Sequence, residues 1–151
     1  MPSAQNAARV KLVIDTNTLI SGSLWDGPSA SLLEAIGEGK ATLVMSPALL
    51  AEFAEVVSRP KFAQRIAARG TSAVALARKL ADEVTLVTPA DLPLPPDLRD
   101  PKDLPVLACA IAASVDVIVT GDKDLLTLNS FQNIPIVNAQ EGLRRLPAGR
   151  Q

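Results

Sequence analysis

Short runs of aliphatic and β-branched residues alternate along this chain with longer stretches whose apolar positions recur every three or four residues. The runs at 10–14 (VKLVI), 42–45 (TLVM), 84–87 (VTLV), 115–119 (VDVIV) and 134–137 (IPIV) predict strands. Most are nearly continuous apolar segments, as strands covered on both faces of a parallel sheet are. Residues 29–37, 46–58, 62–68, 72–83 and 103–113 predict helices, with a shorter one at 124–128. Strands alternating with helices in this order predict a three-layer α/β/α domain. The proline-rich stretch 89–101 reads as a stiff connection inside that domain, not as a linker between two. No internal repeat is present.

Length agrees with one unit. A chain of 151 residues makes one domain, with a core over about 10–146 and flexible tails at 1–8 and 147–151. Apolar residues at 48% and charged residues at 21% describe a globular chain. Its apolar runs are too short or too alanine-rich to span a membrane, and no signal peptide is visible. With Cys109 alone, a reducing, cytoplasmic setting is expected.

Composition narrows the chemistry by exclusion. The chain has no histidine, which removes Ser-His-Asp and Cys-His catalysis and any imidazole-based zinc site. One cysteine cannot form a thiolate cluster, and Cys109 reads as core packing. Tyrosine is absent and aromatics amount to 3%, which argues against base-stacking platforms. Trp25 reads as a partner contact or a partly buried loop residue. Carboxylates must carry any catalysis.

In a parallel sheet, functional groups gather beyond the carboxyl ends of the strands. Asp15 follows the first strand directly, as a cleft carboxylate or as the cap of a following helix. Glu52 lies in a helix opened by Ser46-Pro47. It sits about 100° from the centre of that helix's apolar stripe, whereas Glu55 sits at about 160° and faces solvent. Glu52 thus borders the core and can lean over a cleft, or is a flank residue. Asp103, two residues before Pro105, sits where a helix starts, able to cap it or to serve an ion. Asp100 is held extended by Pro101. Asp122 and Asp124 follow the 115–119 strand, as a pair for a hard cation or as a capping turn.

Four carboxylates brought together repel one another unless a cation or protons intervene. Oxygen-only ligands point to Mg²⁺ or Mn²⁺, one or two ions that activate water and clamp a phosphodiester. Charge is uneven as well. Residues 59–79 hold six basic side chains and no acid, although the chain as a whole carries 15 basic and 16 acidic residues. Such an arm is an ordinary solvated face, or it tracks a polyanion.

The segments VIDTN (13–17), SPALLAEFAEV (46–56), RDPKD with LACA (99–103, 107–110) and VTGDKDLL (119–126) together resemble a PIN-domain protein, most closely the VapC-like toxins of bacterial toxin–antitoxin pairs. The resemblance covers roughly 11–143. It implies a PIN-like fold with a twisted parallel sheet of four or five strands, and a Mg²⁺- or Mn²⁺-dependent ribonuclease that cuts single-stranded or looped RNA. It also implies a homodimer silenced by a cognate antitoxin. The family's acidic quartet falls on Asp15, Glu52, Asp103 and Asp122. Metal ligation is expected from Asp15, Asp103, Asp122 and Asp124, with Glu52 acting through water or on the nucleophile. Asn17 and Thr120 match positions that orient the acids, and Asp100 supports them. Arg59, Lys61, Arg65 and Arg69 are expected on the RNA backbone. Leu104 departs from the polar residue common after the third acid.

An acidic-cleft module that binds nucleic acid or a partner, with little or no catalysis, is the alternative. Other folds with an acid after the first strand fit less well. A receiver domain needs an acid where Thr88-Pro89 stands, and a dehalogenase-like phosphatase needs Asp-x-Asp where Asp15-Thr16-Asn17 stands. A topoisomerase-primase domain needs Glu after the first strand.

Overall fold

A computed structural model describes residues 9–98 and 100–147. Arg99 and the expected tails, apart from Pro147, lie outside the described residues. The elements run β1 (Val10–Ile14), α1 (Thr16–Leu24), α2 (Pro28–Gly37), β2 (Ala41–Met45), α3 (Pro47–Val57), α4 (Ala63–Ala68), α5 (Ala73–Glu83) and β3 (Val84–Leu86). They continue with α6 (Leu104–Ala113), β4 (Val117–Val119), α7 (Lys123–Thr127), β5 (Ser130–Phe131), β6 (Ile134–Val137) and α8 (Ala139–Arg144). Single 3₁₀ turns at Pro60–Phe62 and Pro101–Asp103 precede α4 and α6.

The sheet has the order β3-β2-β1-β4-β6-β5. Every neighbouring pair is parallel except the β5–β6 hairpin. Leu12, Val13 and Ile14 of β1 and all of β4 are buried, because helices cover both faces of the central strands. Helix α6 packs on β1, β2 and β4, while α2 packs on β2, and α8 on β4 and α2. This is the expected three-layer α/β/α fold, with the five parallel strands anticipated and a sixth, two-residue antiparallel strand added. One strand differs from its reading. Thr85 and Leu86 of β3 are exposed, because β3 forms an edge and only its inner side is paired.

Helices α1 and α8 escape the periodic reading. The α1 segment TNTLISGSL mixes β-branched residues, serine and glycine, all weak helix formers, and it forms through tertiary contact with α2. A Cβ on Gly22 would stand 2.7 Å from the Ser29 carbonyl oxygen and 2.8 Å from Leu33 Cδ1, so the missing side chain lets the two helices close. Alanine favours helices over glycine by ~1 kcal/mol. Gly22→Ala is nevertheless expected to lower stability by about 1–3 kcal/mol through overpacking. Thermal denaturation checks it; an unchanged or raised midpoint would mean that α1 and α2 are not closely fitted.

A carboxylate cleft at the strand-order reversal

From β1 the chain builds outward to β2 and β3 on one side, then returns to place β4 on the other. The carboxyl ends of β1 and β4 therefore flank the point where strand order reverses, the usual crevice for ligands in an open α/β sheet. The Asp15 N–H donates to the Val119 carbonyl across this point at 3.1 Å. A cavity of about 580 Å³ opens here, lined by Asp15, Glu52, Asp100, Asp103 and Asp122 among others. Four expected acids and the supporting Asp100 thus share one cleft, although 107 positions separate Asp15 from Asp122 in sequence.

Each acid is held differently. Asp15 caps α1 by accepting from the Thr18 N–H at 3.0 Å, and its second oxygen accepts from Thr120 Oγ1 at 2.5 Å. Capping and cleft roles are thus compatible for one carboxylate. Thr120, fully buried, also accepts the Asp122 N–H at 3.0 Å. One hydroxyl therefore couples the ends of β1 and β4. Asp122 accepts from the Asp124 N–H at 2.9 Å, and Asp124 itself is exposed and does not line the cavity. Glu52 is exposed on α3 and accepts from Thr16 Oγ1 at 2.7 Å, while Glu55 turns away to a two-point pair with Arg59. Asn17 is exposed at the cleft.

Asp103 is the outlier. It stands at the start of α6 yet makes no capping bond; Asp100 caps the turn before it, accepting from the Lys102 N–H at 3.0 Å. The Asp103 side chain is only 9% exposed, and its Oδ2 has no hydrogen-bond partner. Burial, and then the neighbouring charge of Asp122, push its carboxyl from the ordinary 3.8 up to about 7, with Asp100 and Asp15 adding to the effect. A carboxylate so placed calls for a proton or a cation.

The donor set is oxygen-only and includes an unpartnered buried oxygen, which fits a hard divalent cation. Among the described residues, however, no three such side chains converge closely enough as they stand to hold an ion. Both oxygens of Asp15 are occupied, by Thr18 and Thr120, and one of Asp122 by Asp124, and mutual repulsion opposes convergence of bare carboxylates.

A basic rim borders the acids. Arg59 and Lys61 line the cleft, as does Lys102, which the sequence reading did not single out despite its place between Asp100 and Asp103. Thr16, Ser21 and Ser29 line it too. Thr16 had a legible signal, a hydroxyl directly after the strand-ending acid. Arg65 and Arg69 do not line the cleft; both donate through Nε to the Leu24 carbonyl, at 2.6 and 2.9 Å. Cys109 is fully buried, and burial pushes its thiol up to about 11, so it packs and does not react. Among the described residues no helix is long and apolar enough to cross a membrane.

A family model described as PIN domain matches residues 11–124. Among curated proteins, none matches the chain.

Proposed function

This chain belongs to the PIN domain family, and on that footing we propose that it is a divalent-metal-dependent endoribonuclease, hydrolysing phosphodiester bonds of single-stranded or looped RNA. A PIN domain suggests a nuclease-type function and nucleic-acid binding in general. The observation that carries the narrower reading is Asp103, a buried carboxylate with an unpartnered oxygen beside three other acids, Asp122, Asp100 and Asp15.

Asp15, Asp103 and Asp122 would hold Mg²⁺ or Mn²⁺, one or two ions, with Asp124 in support. When bound, the metal lowers the pKa of water and neutralises charge developing on the phosphate. The protein's own groups do the rest. Thr120 orients Asp15 and ties it to the backbone of Asp122. Thr16 fixes one oxygen of Glu52 and leaves the other to orient the attacking water. Arg59, Lys61 and Lys102 present cations on the rim, where the strand's phosphates would otherwise meet only carboxylates. Arg59 is exposed in its pair with Glu55, so a phosphate can take the place of Glu55.

Incubation of the chain with a mixed structured RNA and a single-stranded DNA, in Mn²⁺, Mg²⁺ or EDTA, tests this reading. Cleavage of RNA only with metal is expected. That no metal cage is preassembled among the described residues favours one other reading, an acidic-cleft binding module. Intact RNA in every lane, with RNA still bound, would establish that module instead.

We assign the toxin role of a VapC-like protein on the resemblance of its motifs, and with it a cognate antitoxin and a homodimer. Support for a protein-binding face comes from an apolar groove of about 490 Å³ between α3 and α5, lined by Leu50, Ala54, Val74, Ala77 and Leu86. Val74 and Leu86 are 62% and 52% exposed there. A second copy seated there predicts that Val74→Lys shifts the protein from dimer to monomer in sedimentation. An unchanged mass would remove this face from the assembly.

A further inference from the structure

The loop after α1 carries Trp25, 42% exposed, directly beyond the helix whose first turns line the cleft. Phe62, from the turn before α4, meets it edge to face, with ring centroids 6.4 Å apart. The Arg65 guanidinium lies 5.4 Å from the Trp25 ring centre, and the Lys61 ammonium lies 5.1 Å from that of Phe62. A scattered exposed aromatic needs no explanation. Few aromatics argue against a stacking platform, yet here two of the chain's four stand together beside two cations, and Phe62 lies within the stretch 59–79 that carries no acid.

The pair is held in place. The carbonyl of Leu24, the residue before Trp25, receives Nε–H bonds from both Arg65 and Arg69, and Arg69 also reaches Asp26 at 3.3 Å. The backbone before the indole is thereby tied to α4 and its C-cap, so less ordering is left to be done on binding. The pair is also continuous with the cleft. Ser21, one helical turn before Trp25, and Lys61, next to Phe62, both line the cavity that holds Asp15. The nine residues of α1 at a rise of about 1.5 Å each make the helix that separates Trp25 from Asp15 about 14 Å long. That is within reach of a base a few nucleotides along a strand whose phosphate lies over the acids.

We propose that Trp25 and Phe62, flanked by Lys61 and Arg65, form a stacking subsite for an unpaired base of the RNA strand, outside the acidic floor. The proposal rests on the RNA reading above. Flat π-faces with adjacent cations suit an unpaired base and its phosphate, since stacking tolerates any sequence and the cations meet the backbone. Such a subsite selects single-stranded over paired RNA, because a paired base cannot offer its face.

Trp25 is the single tryptophan of the chain, so its fluorescence reports on this position alone. A single-stranded RNA and its abasic counterpart are titrated into the Asp15→Asn protein, which keeps the strand intact. Indole emission and the anisotropy of end-labelled RNA are followed together. The proposal expects saturable quenching by the base-bearing RNA alone. Trp25→Ala should weaken its binding about tenfold, with Trp25→Phe retaining most of the affinity. Binding seen by anisotropy without quenching, and equal in Trp25→Ala, would overturn the subsite while leaving the RNA reading intact. That outcome would return Trp25 to a partner contact or an ordinary loop residue. No binding of either strand by any variant would sink the RNA reading, and the subsite with it.

Discussion

Asp15→Asn is expected to lower RNA cleavage by a factor of at least about 100 and to leave the fold intact. The loss is large because Asp15 meets the cleft from the reversal point and is the acid with both oxygens fixed. Even partners that only orient a metal ligand cost about 10–100-fold when lost; removing the charge of a ligand itself costs at least the upper end. The fold survives because asparagine keeps one carbonyl oxygen for the Thr18 N–H. Its amide can donate to Thr120 Oγ1, so the cap persists. Rate measurements at saturating Mn²⁺, beside a thermal melt, check both halves. Full activity in the variant would remove Asp15 from the chemistry, whereas a collapsed melt would show a structural role dominating.

The second large effect runs in opposite directions for stability and activity. In metal-free protein the Asp103 carboxyl is raised from the ordinary 3.8 to about 7, first by burial and then by Asp122. Between those values the folded state holds a proton that the unfolded chain has released. Its stabilising share is therefore whole below pH 4 and is lost as pH rises through 7. At pH 8 the folded protein bears the full cost of a buried charge. Asp103→Asn escapes that cost, and its amide can donate to Asp122 in place of the proton. A gain of about 2 kcal/mol at pH 8 in EDTA is expected, on the order of 5 °C in the melting temperature, shrinking toward zero at pH 4. Added Mn²⁺ should stabilise the parent protein at pH 8 and do little for the variant, which should not cleave RNA. A variant less stable than its parent at pH 8 would show that Asp103 is satisfied in solution and does not await a cation.

Much of this organisation was readable from the residues. Strands β1, β2, β4 and β6 announced themselves as unbroken apolar runs because both faces are covered, and α3 through Ser46-Pro47 and its stripe. The five clustered acids could be named because a parallel sheet delivers its strand ends to one edge. Helix α1 was not readable, since its stability lies in the approach of α2 at Gly22 and not in its own sequence. Nor could residue order show that Asp103 leaves the helix uncapped, because that depends on Asp100 taking the capping role. The grip of Arg65 and Arg69 on the Leu24 carbonyl is a contact 41 and 45 residues apart in sequence, which no local pattern encodes. Asp124 shows the reverse case, a motif neighbour whose side chain lies off the cavity.

The sheet's two outer strands are among its briefest. β3 holds three residues and β5 two. An unpaired strand edge invites other chains to extend the sheet, and short outer strands are one way proteins blunt that hazard. Here the open backbone on either flank is too brief to seed a growing ladder. Made in excess of any partner, or refolded from denaturant at high concentration, the chain should stay dispersed and not precipitate as fibres. Its associations are left to side-chain surfaces, which can be chosen and reversed.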